Sequence, residues 1–280
     1  MVAKEKTENV TLQTEKDTTA SYNTNPFSLM FDAMGRFIKY NTNWAVVLIV
    51  LGFFGVASQA GNLFHSATNS TAVNNTLSSN ASGTVLLASI IVITVVAIAA
   101  IVGGLALNAI VQGMLSYVAL QSEQGTSVKL GEAYRAAAAR FWRLFNAQLL
   151  AFLKVIGWTL LFIVPGIIAF LRYSLLSYVI MSEPETEKGV VEAHNKVKSL
   201  VKGRLLEVLG VTSISSVIPV IGTLLGLSGN AALYTQLALY NSKDLEKPKI
   251  SWINYLILAC GLILVIGLII GSILLAINQA

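Results

Sequence analysis

The stretch 144-LFNAQLLAFLKVIGWTLLFIVPGIIAFLRYSLLSYVIM-181 decides the fold of this chain. Its 38 residues include only two charged side chains, Lys154 and Arg172, and it is interrupted by Val164-Pro165-Gly166. Proline removes a backbone donor and glycine tolerates left-handed angles, so this pair favours a tight turn. A membrane-crossing helix needs about 20 apolar residues. The stretch therefore predicts a helical hairpin of two somewhat short crossings.

The rest of the 280-residue chain has the same character. Hydrophobic residues make up 55% and charged residues 12%, whereas soluble domains carry about a quarter charged residues. Further apolar blocks occupy 44–60, 84–120, 205–240 and 252–277, and Pro219 and Gly222 interrupt the third of these. These blocks predict an all-α, polytopic transmembrane helical bundle of six to seven crossings with cytoplasmic amphipathic helices.

The distribution of basic residues predicts the topology. Of 19 Lys and Arg residues, 17 fall in the segments 1–43, 121–143, 182–204 and 241–251. The positive-inside rule places all four segments in the cytoplasm. Each interrupted apolar block must then cross an even number of times. We expect seven crossings in the plasma membrane, with the N-terminus in the cytoplasm and the C-terminus outside.

The remaining segments give the domain organisation. Residues 1–26 are polar and mixed in charge, so we expect a disordered cytoplasmic tail, followed by a helical membrane domain over 27–280. Within that domain, the helical spacing of apolar residues over 27–40 predicts an amphipathic helix at the membrane surface. Residues 62–83 contain no Lys, Arg, Asp or Glu and predict a polar external loop, and 252–277 forms an extra C-terminal helix.

Two features of this organisation have alternative interpretations. Only 17 residues separate Lys154 from Arg172, which would suit a half-depth, re-entrant hairpin with both cations at the cytoplasmic interface. Full crossings are favoured because long cationic side chains can extend toward the interface. An acid-alanine pair also opens three basic segments, at Asp32-Ala33, Glu132-Ala133 and Glu192-Ala193, which indicates either a threefold repeat or chance.

The charged residues inside or beside the apolar blocks are candidates for lipid binding. An ionisable residue within a membrane segment is a functional hypothesis by default. Lys154 and Arg172 could form an anion or lipid-phosphate site with Glu207 as counter-ion, or they could extend to the interface or pair structurally with Glu207 without a ligand. The basic helices could contact anionic headgroups, or they could simply fix the topology. Their candidate residues are Arg140, Arg143, Lys202 and Arg204.

Polar side chains within two crossings suggest a second kind of site. Asn108 and Gln112 lie one helical turn apart in the second crossing, and Asn230 and Gln236 lie in the sixth. These residues could line a pathway for a solute, although such residues more often form hydrogen bonds between helices.

No motif points to catalysis or to a metal. The chain lacks the usual zinc, nucleophile and phosphate-loop patterns, and the predicted topology separates its two histidines, His65 and His194. Its single cysteine, Cys260, lies in the most apolar block and fits a role in helix contacts. We therefore expect no enzymatic activity, no cofactor and no nucleic-acid partner.

A family resemblance supports the membrane fold. The stretches that carry it are Gly125 to Arg143, Val164-Pro165-Gly166-Ile167, Arg172-Tyr173-Ser174, Ala193, Lys198-Ser199, Lys202-Gly203 and Ala232-Leu233-Tyr234. On these residues the chain, from about 107 to 244, resembles the multi-pass family typified by the membrane domain of glycerophosphoryl diester phosphodiesterases. In that family the phosphodiesterase activity belongs to a separate soluble domain, so the resemblance implies the fold and no catalysis. The helix at 252–277 departs from the family's six crossings.

Two functions follow as hypotheses. The first is a non-enzymatic scaffold or accessory protein in envelope or lipid homeostasis, with anionic membrane lipids as its partners. The second is a transporter or channel for small solutes or lipids. A continuous cavity lined by Asn108, Gln112, Asn230 and Gln236 would favour transport, and a dry bundle would favour the scaffold. Gly267 and Gly271 could also bring two copies or a membrane partner together.

Overall fold

A computed structural model describes residues 22–53, 83–184, 186 and 189–278. Within these residues the chain forms eleven α-helices and no strand, which confirms the all-α prediction. In chain order the helices are α1 (Pro26–Tyr40), α2 (Thr42–Phe53), α3 (Gly83–Glu123), α4 (Leu130–Ala139), α5 (Phe141–Leu161), α6 (Ile163–Tyr173), α7 (Leu176–Ser182), α8 (Val190–Leu200), α9 (Leu205–Val217), α10 (Gly222–Ser242) and α11 (Trp252–Asn278).

Four segments of the described chain are long and apolar enough to cross a membrane. They are Thr94–Glu123 in α3, Phe141–Leu161, Ile163–Ser182 over α6 and α7, and Trp252–Ile277. The helices α2 and α9 are apolar but shorter, about 18–20 Å at 1.5 Å per residue. The chain is thus a helical membrane protein, and the count of seven crossings stays a prediction.

The hairpin predicted over 144–181 forms, but its turn lies at Phe162 and not at Val164-Pro165-Gly166. Helices α5 and α6 contact each other along their length, and Phe162 is the single extended residue between them. Pro165 lies in the first turn of α6, where its missing N–H removes no helical hydrogen bond. A Cβ on Gly166 would collide with Thr159 of α5, so this glycine permits the close approach of the two helices.

Helix α10 is the centre of the bundle and contacts α1, α3 and α9. Its small residues allow this proximity. A Cβ on Gly229 would lie 2.6 Å from Met30 Cγ of α1. The apolar face of α1, with Met30, Ala33 and Phe37, is fully buried. The amphipathic helix forms as predicted: this face packs on α10, while Phe27 and Phe31 remain exposed. Its position at the membrane surface stays a prediction.

The three acid-alanine pairs occupy equivalent environments. Ala33 of α1, Ala133 of α4 and Ala193 of α8 are each fully buried, while the acid before each of them is exposed. Each helix therefore uses its alanine for close contact with the bundle. The repeat itself stays a prediction.

The end of the predicted tail is ordered. Residues 22–25, called here the N-terminal strap, run across α9, α10 and the start of α11. The Tyr22 N–H donates to Tyr240 Oη (3.3 Å), the Asn23 N–H to Gln236 Oε1 (3.2 Å), and Asn254 Nδ2 to the Thr24 carbonyl (3.0 Å). The prediction of disorder up to residue 26 is wrong for this strap, and residues 1–21 lie outside the described residues.

Two further predictions concern the outer parts of the chain. The predicted external loop at 62–83 lies outside the described residues except for its last residue. Helix α11 forms as predicted and remains exposed along its apolar length. Gly267 and Gly271 have no atom within 4 Å of an added Cβ, so they do not serve contacts between helices of the described chain. Dimerisation through them stays a prediction.

Candidate functional site

Three arginine–carboxylate pairs join the basic segments at one end of the bundle, called here the base. We call these pairs the clasps. Arg36 pairs with Glu123 and Arg204 pairs with Glu207, each at 2.7 Å, and Arg143 pairs with Glu183. Arginine suits such positions because its planar guanidinium presents several fixed donors.

The first clasp connects α1 to the end of α3. Arg36 donates from Nε and Nη2 to Glu123, whose side chain is largely buried. Nearby, Asn41 donates to Ser122 Oγ (2.8 Å) and accepts from the Val128 N–H (2.8 Å). The segments 1–43 and 121–143 are thereby held together.

The second clasp connects α5 to the chain after α7. The Arg143 side chain is 6% exposed, and besides Glu183 it donates to the Gly189 carbonyl. Glu183 also accepts from Lys196 Nζ (2.8 Å), and its carbonyl accepts from Arg140 Nη2 (2.9 Å). Arg140 and Lys196, from two different basic segments, therefore meet at one residue and lie on the same side of the protein.

The third clasp binds the N-terminal strap. Glu207 accepts from Arg204 (2.7 Å) and from the Tyr22 hydroxyl (2.5 Å), and Arg204 also donates to the Pro248 carbonyl (2.7 Å). The Arg204 guanidinium lies 5.4 Å from the Tyr22 ring centroid. Burial, with the Glu207 charge beside it, raises the pKa of the Tyr22 hydroxyl well above its ordinary value, so the neutral hydroxyl donates to the carboxylate.

This arrangement corrects part of the predicted lipid site. Glu207 is the partner of Arg204 and does not neutralise Lys154 or Arg172. Arg143 and Arg204 are largely buried in clasps, where carboxylates occupy their guanidinium groups. Their predicted contact with lipid headgroups stays a prediction.

The two cations within the first hairpin have other surroundings. Lys154 Nζ lies 5.4 Å from the Tyr173 ring centroid, and the His194 ring of α8 lies 5.0 Å from the same ring. Burial lowers the pKa of His194, and the nearby Lys154 charge lowers it further. Arg172, at the end of α6, forms no ion pair with a described residue. The shared anion site of Lys154, Arg172 and Glu207 is not assembled.

The basic segments also carry exposed charges at the base, both lysines and acidic residues such as Glu132 and Glu192. Six lysines from the four basic segments are exposed and form no ion pair with any described residue. The set comprises Lys39, Lys129, Lys198, Lys202, Lys243 and Lys249.

Two cavities that share lining residues lie against α3. One is bounded by α3 and the α5–α6–α7 hairpin, and the other lies between α3, α7 and the α9–α10 hairpin. We call the pair the inter-hairpin cleft. The lower cavity, about 360 Å³, includes Asn108, whose amide donates to Gln148 Oε1 (3.2 Å). The upper cavity, about 380 Å³, includes Asn230. Gln112 and Ser174 line both cavities.

The cleft brings together three of the four predicted pathway residues. Asn108, Gln112 and Asn230 line it, whereas Gln236 lies in a separate cavity beside Arg36 and Glu123 and accepts from the strap. A single cavity through all four residues is therefore not formed.

Sequence reasoning missed several residues of these sites. Tyr22 lay in a polar segment that gave no signal of burial, and Ser174, Ser215 and Ser216 resembled ordinary small residues of apolar helices. Among the described residues, no group of three or more His, Cys, Asp and Glu side chains could hold a metal ion. No protein-family model, curated protein or solved structure matches this chain.

Proposed function

We propose that the protein is a non-enzymatic scaffold of the plasma membrane whose cytoplasmic base binds anionic lipid headgroups. One observation carries this proposal: three arginines pair with largely buried carboxylates in the clasps, while six lysines of the same segments remain exposed and form no ion pair with a described residue. A lysine near an anionic leaflet contributes about 1 kcal/mol of attraction.

The division between arginine and lysine supports the proposal on chemical grounds. Arginine forms fixed, multidentate bonds, so it suits the three internal clasps. Lysine carries a compact charge on a flexible stem and can follow mobile phosphates without an ordered partner. The base thus combines a rigid interior with an adaptable cationic surface.

The alternative function, transport through Asn108, Gln112, Asn230 and Gln236, has less support. The first three residues line the cleft, but Gln236 lines a separate cavity and accepts a hydrogen bond from the strap. The resemblance to the glycerophosphoryl diester phosphodiesterase membrane domain stays a prediction.

Native mass spectrometry in nanodiscs of equal phosphatidylglycerol and phosphatidylcholine tests the proposal. The variant Lys198→Gln/Lys202→Gln/Lys243→Gln/Lys249→Gln should lose most of its phosphatidylglycerol enrichment, by up to about fivefold per lysine at 1 kcal/mol each. The matched control carries arginine at the same four positions and should keep the enrichment. Unchanged enrichment in the glutamine variant, or equal loss in the arginine variant, would contradict a charge-based headgroup surface.

A further inference from the structure

The upper cavity of the inter-hairpin cleft has an unusual hydrogen-bonding character. Ser174 Oγ donates to the Leu171 carbonyl (2.9 Å), and Ser215 Oγ and Ser216 Oγ both donate to the Thr212 carbonyl (2.8 Å each). A hydroxyl has one proton, and each of these serines already donates it to a carbonyl of its own helix. Their oxygen lone pairs remain able to accept bonds from a ligand in the cavity.

The buried amide of the cavity adds a further acceptor. Asn230 lines the cavity, and its Oδ1 has no hydrogen-bond partner among the described residues. A buried acceptor without a partner lowers the stability of the folded protein by about 1–3 kcal/mol. The Tyr178 hydroxyl, which also lines the cavity, donates to the Leu227 carbonyl (2.9 Å) and likewise retains only acceptor capacity. The cavity can therefore accept hydrogen bonds from a ligand, and Gln112, Thr223 and Asn230 also bring side-chain donors to its wall, which suits a hydroxyl group that both donates and accepts.

The charge of the cleft restricts the ligand further. No Lys, Arg, Asp, Glu or His lines either cavity. Lys154 is not among the lining residues, and its Nζ lies 5.4 Å from the Tyr173 ring centroid. An ionised group in this membrane-embedded cleft would be buried without a counter-ion, which is strongly unfavourable. The ligand head should therefore be uncharged.

The lower cavity provides the complementary surface for hydrocarbon. Its wall includes Phe152, Val155 and Phe170, and the two phenylalanines are exposed on the apolar faces of α5 and α6. A ligand can therefore enter from the bilayer side. Gln112 and Ser174 line both cavities, so a polar head in the upper one lies next to a chain in the lower one.

We propose that the inter-hairpin cleft binds one lipid with an uncharged, hydroxyl-bearing head, such as a diacylglycerol or a neutral glycolipid. The hydroxyls of the head donate to Asn230 Oδ1 and to the serine oxygens, and an acyl chain lies along Phe152, Val155 and Phe170. This site is independent of the cationic base and does not require the headgroup surface proposed above.

The test uses the full chain in phosphatidylcholine nanodiscs supplied with dioleoylglycerol, galactosyl diacylglycerol or phosphatidylglycerol, with bound lipid counted by native mass spectrometry. Wild-type protein should retain one neutral hydroxylated lipid in preference to phosphatidylglycerol. Asn230→Leu, which removes the acceptor at similar size, should weaken retention about fivefold or more. Val155→Trp, which fills the lower cavity, should abolish it.

Two further variants keep the result interpretable. Ser242→Ala removes a hydroxyl of α10 that donates to the Leu239 carbonyl outside the cleft, and it should retain the lipid like wild type. Ser215→Ala/Ser216→Ala removes two acceptors with little change in volume and should weaken retention even if Asn230→Leu unfolds.

Three results would overturn the proposal. The first is equal retention by wild type and by the folded cleft variants. The second is a preference for phosphatidylglycerol over the neutral lipids. The third is displacement of the lipid by free glycerol with a dependence on Asn230 but none on Val155, which would assign the cavity to a soluble polyol.

Discussion

The α5–α6–α7 hairpin and the α9–α10 hairpin share a plan but have different surroundings. Each has a proline close to its turn, and each is joined to the base by a clasp. At the first turn, Leu160 is 83% exposed and its neighbours on both helices are exposed as well. In the second hairpin, Val217 beside the turn is exposed too, but Leu224 and Leu225 in the first turn of α10 are fully buried.

The difference shows how residue type relates to environment in this bundle. The exposed hairpin is the more apolar one, since lipid is its solvent. The central hairpin is richer in glycine, serine and asparagine, which permit close approach and hydrogen bonds between helices. Strong hydrophobicity therefore indicates the lipid-facing surface, and small residues indicate the centre.

The largest expected effect comes from breaking the clasp of the central hairpin. Glu207→Ala leaves the Arg204 guanidinium and the Tyr22 hydroxyl without their shared acceptor. We expect the free energy of unfolding to fall by about 3–5 kcal/mol, as for other broken buried pairs. Thermal unfolding in detergent, followed by tryptophan fluorescence, measures this loss.

Lys196→Ala is the control for that prediction at the other hairpin. Its ammonium is about half exposed and pairs with Glu183, so its removal should cost at most about 1 kcal/mol. Equal losses in the two variants would show that burial does not distinguish these ion pairs.

A matched pair of leucine truncations sharpens the contrast between the two environments. Leu225→Ala opens a cavity in the centre of the bundle and should destabilise the protein by about 2–5 kcal/mol. Leu160→Ala at the exposed turn should change stability by less than about 0.5 kcal/mol, because lipid or detergent fills the space. The same unfolding measurement compares them, and a large loss at Leu160 would mean that a partner covers the first turn.

The smallest expected effect is the pH dependence of stability that comes from His194 of α8, which packs beside Tyr173 of the first hairpin. Because burial lowers the pKa of His194 below its ordinary value of 6.5, the unfolded chain takes up a proton there more readily than the folded one. Stability from this group is complete above about pH 6.5 and is lost as pH falls below it. The melting temperature should decline modestly toward pH 5, and His194→Gln should flatten that decline. An identical slope in both proteins would exclude His194 as its source.

Much of the architecture was predictable from local patterns. The apolar block at 144–181 predicted the first hairpin, and the charge distribution predicted that Arg140 and Lys196 share one side. The structure brings both residues to Glu183. The predicted span of the last helix, 252–277, differs from α11 by one residue. These features depend on hydrophobic length and on charge, which a sequence records directly.

The site was less predictable because it depends on contacts between distant segments. Glu207 was assigned to Lys154 and Arg172, yet it pairs with Arg204 three residues away and with Tyr22 from the strap. A polar, tail-like composition gave no sign that Tyr22 would be buried. The cleft was anticipated only through Asn108, Gln112 and Asn230, and its serines gave no signal.

The sequence by itself determined that this is a helical membrane protein, where its long apolar helices lie and which segments carry the positive charge. These properties follow from the transfer of side chains between water and hydrocarbon, which each segment undergoes largely alone. Only the tertiary structure decided which arginines pair with carboxylates in clasps, that the N-terminal strap is folded, and where an uncharged cleft opens. Those outcomes depend on distances and hydrogen bonds between segments far apart in the chain, and no local pattern encodes them.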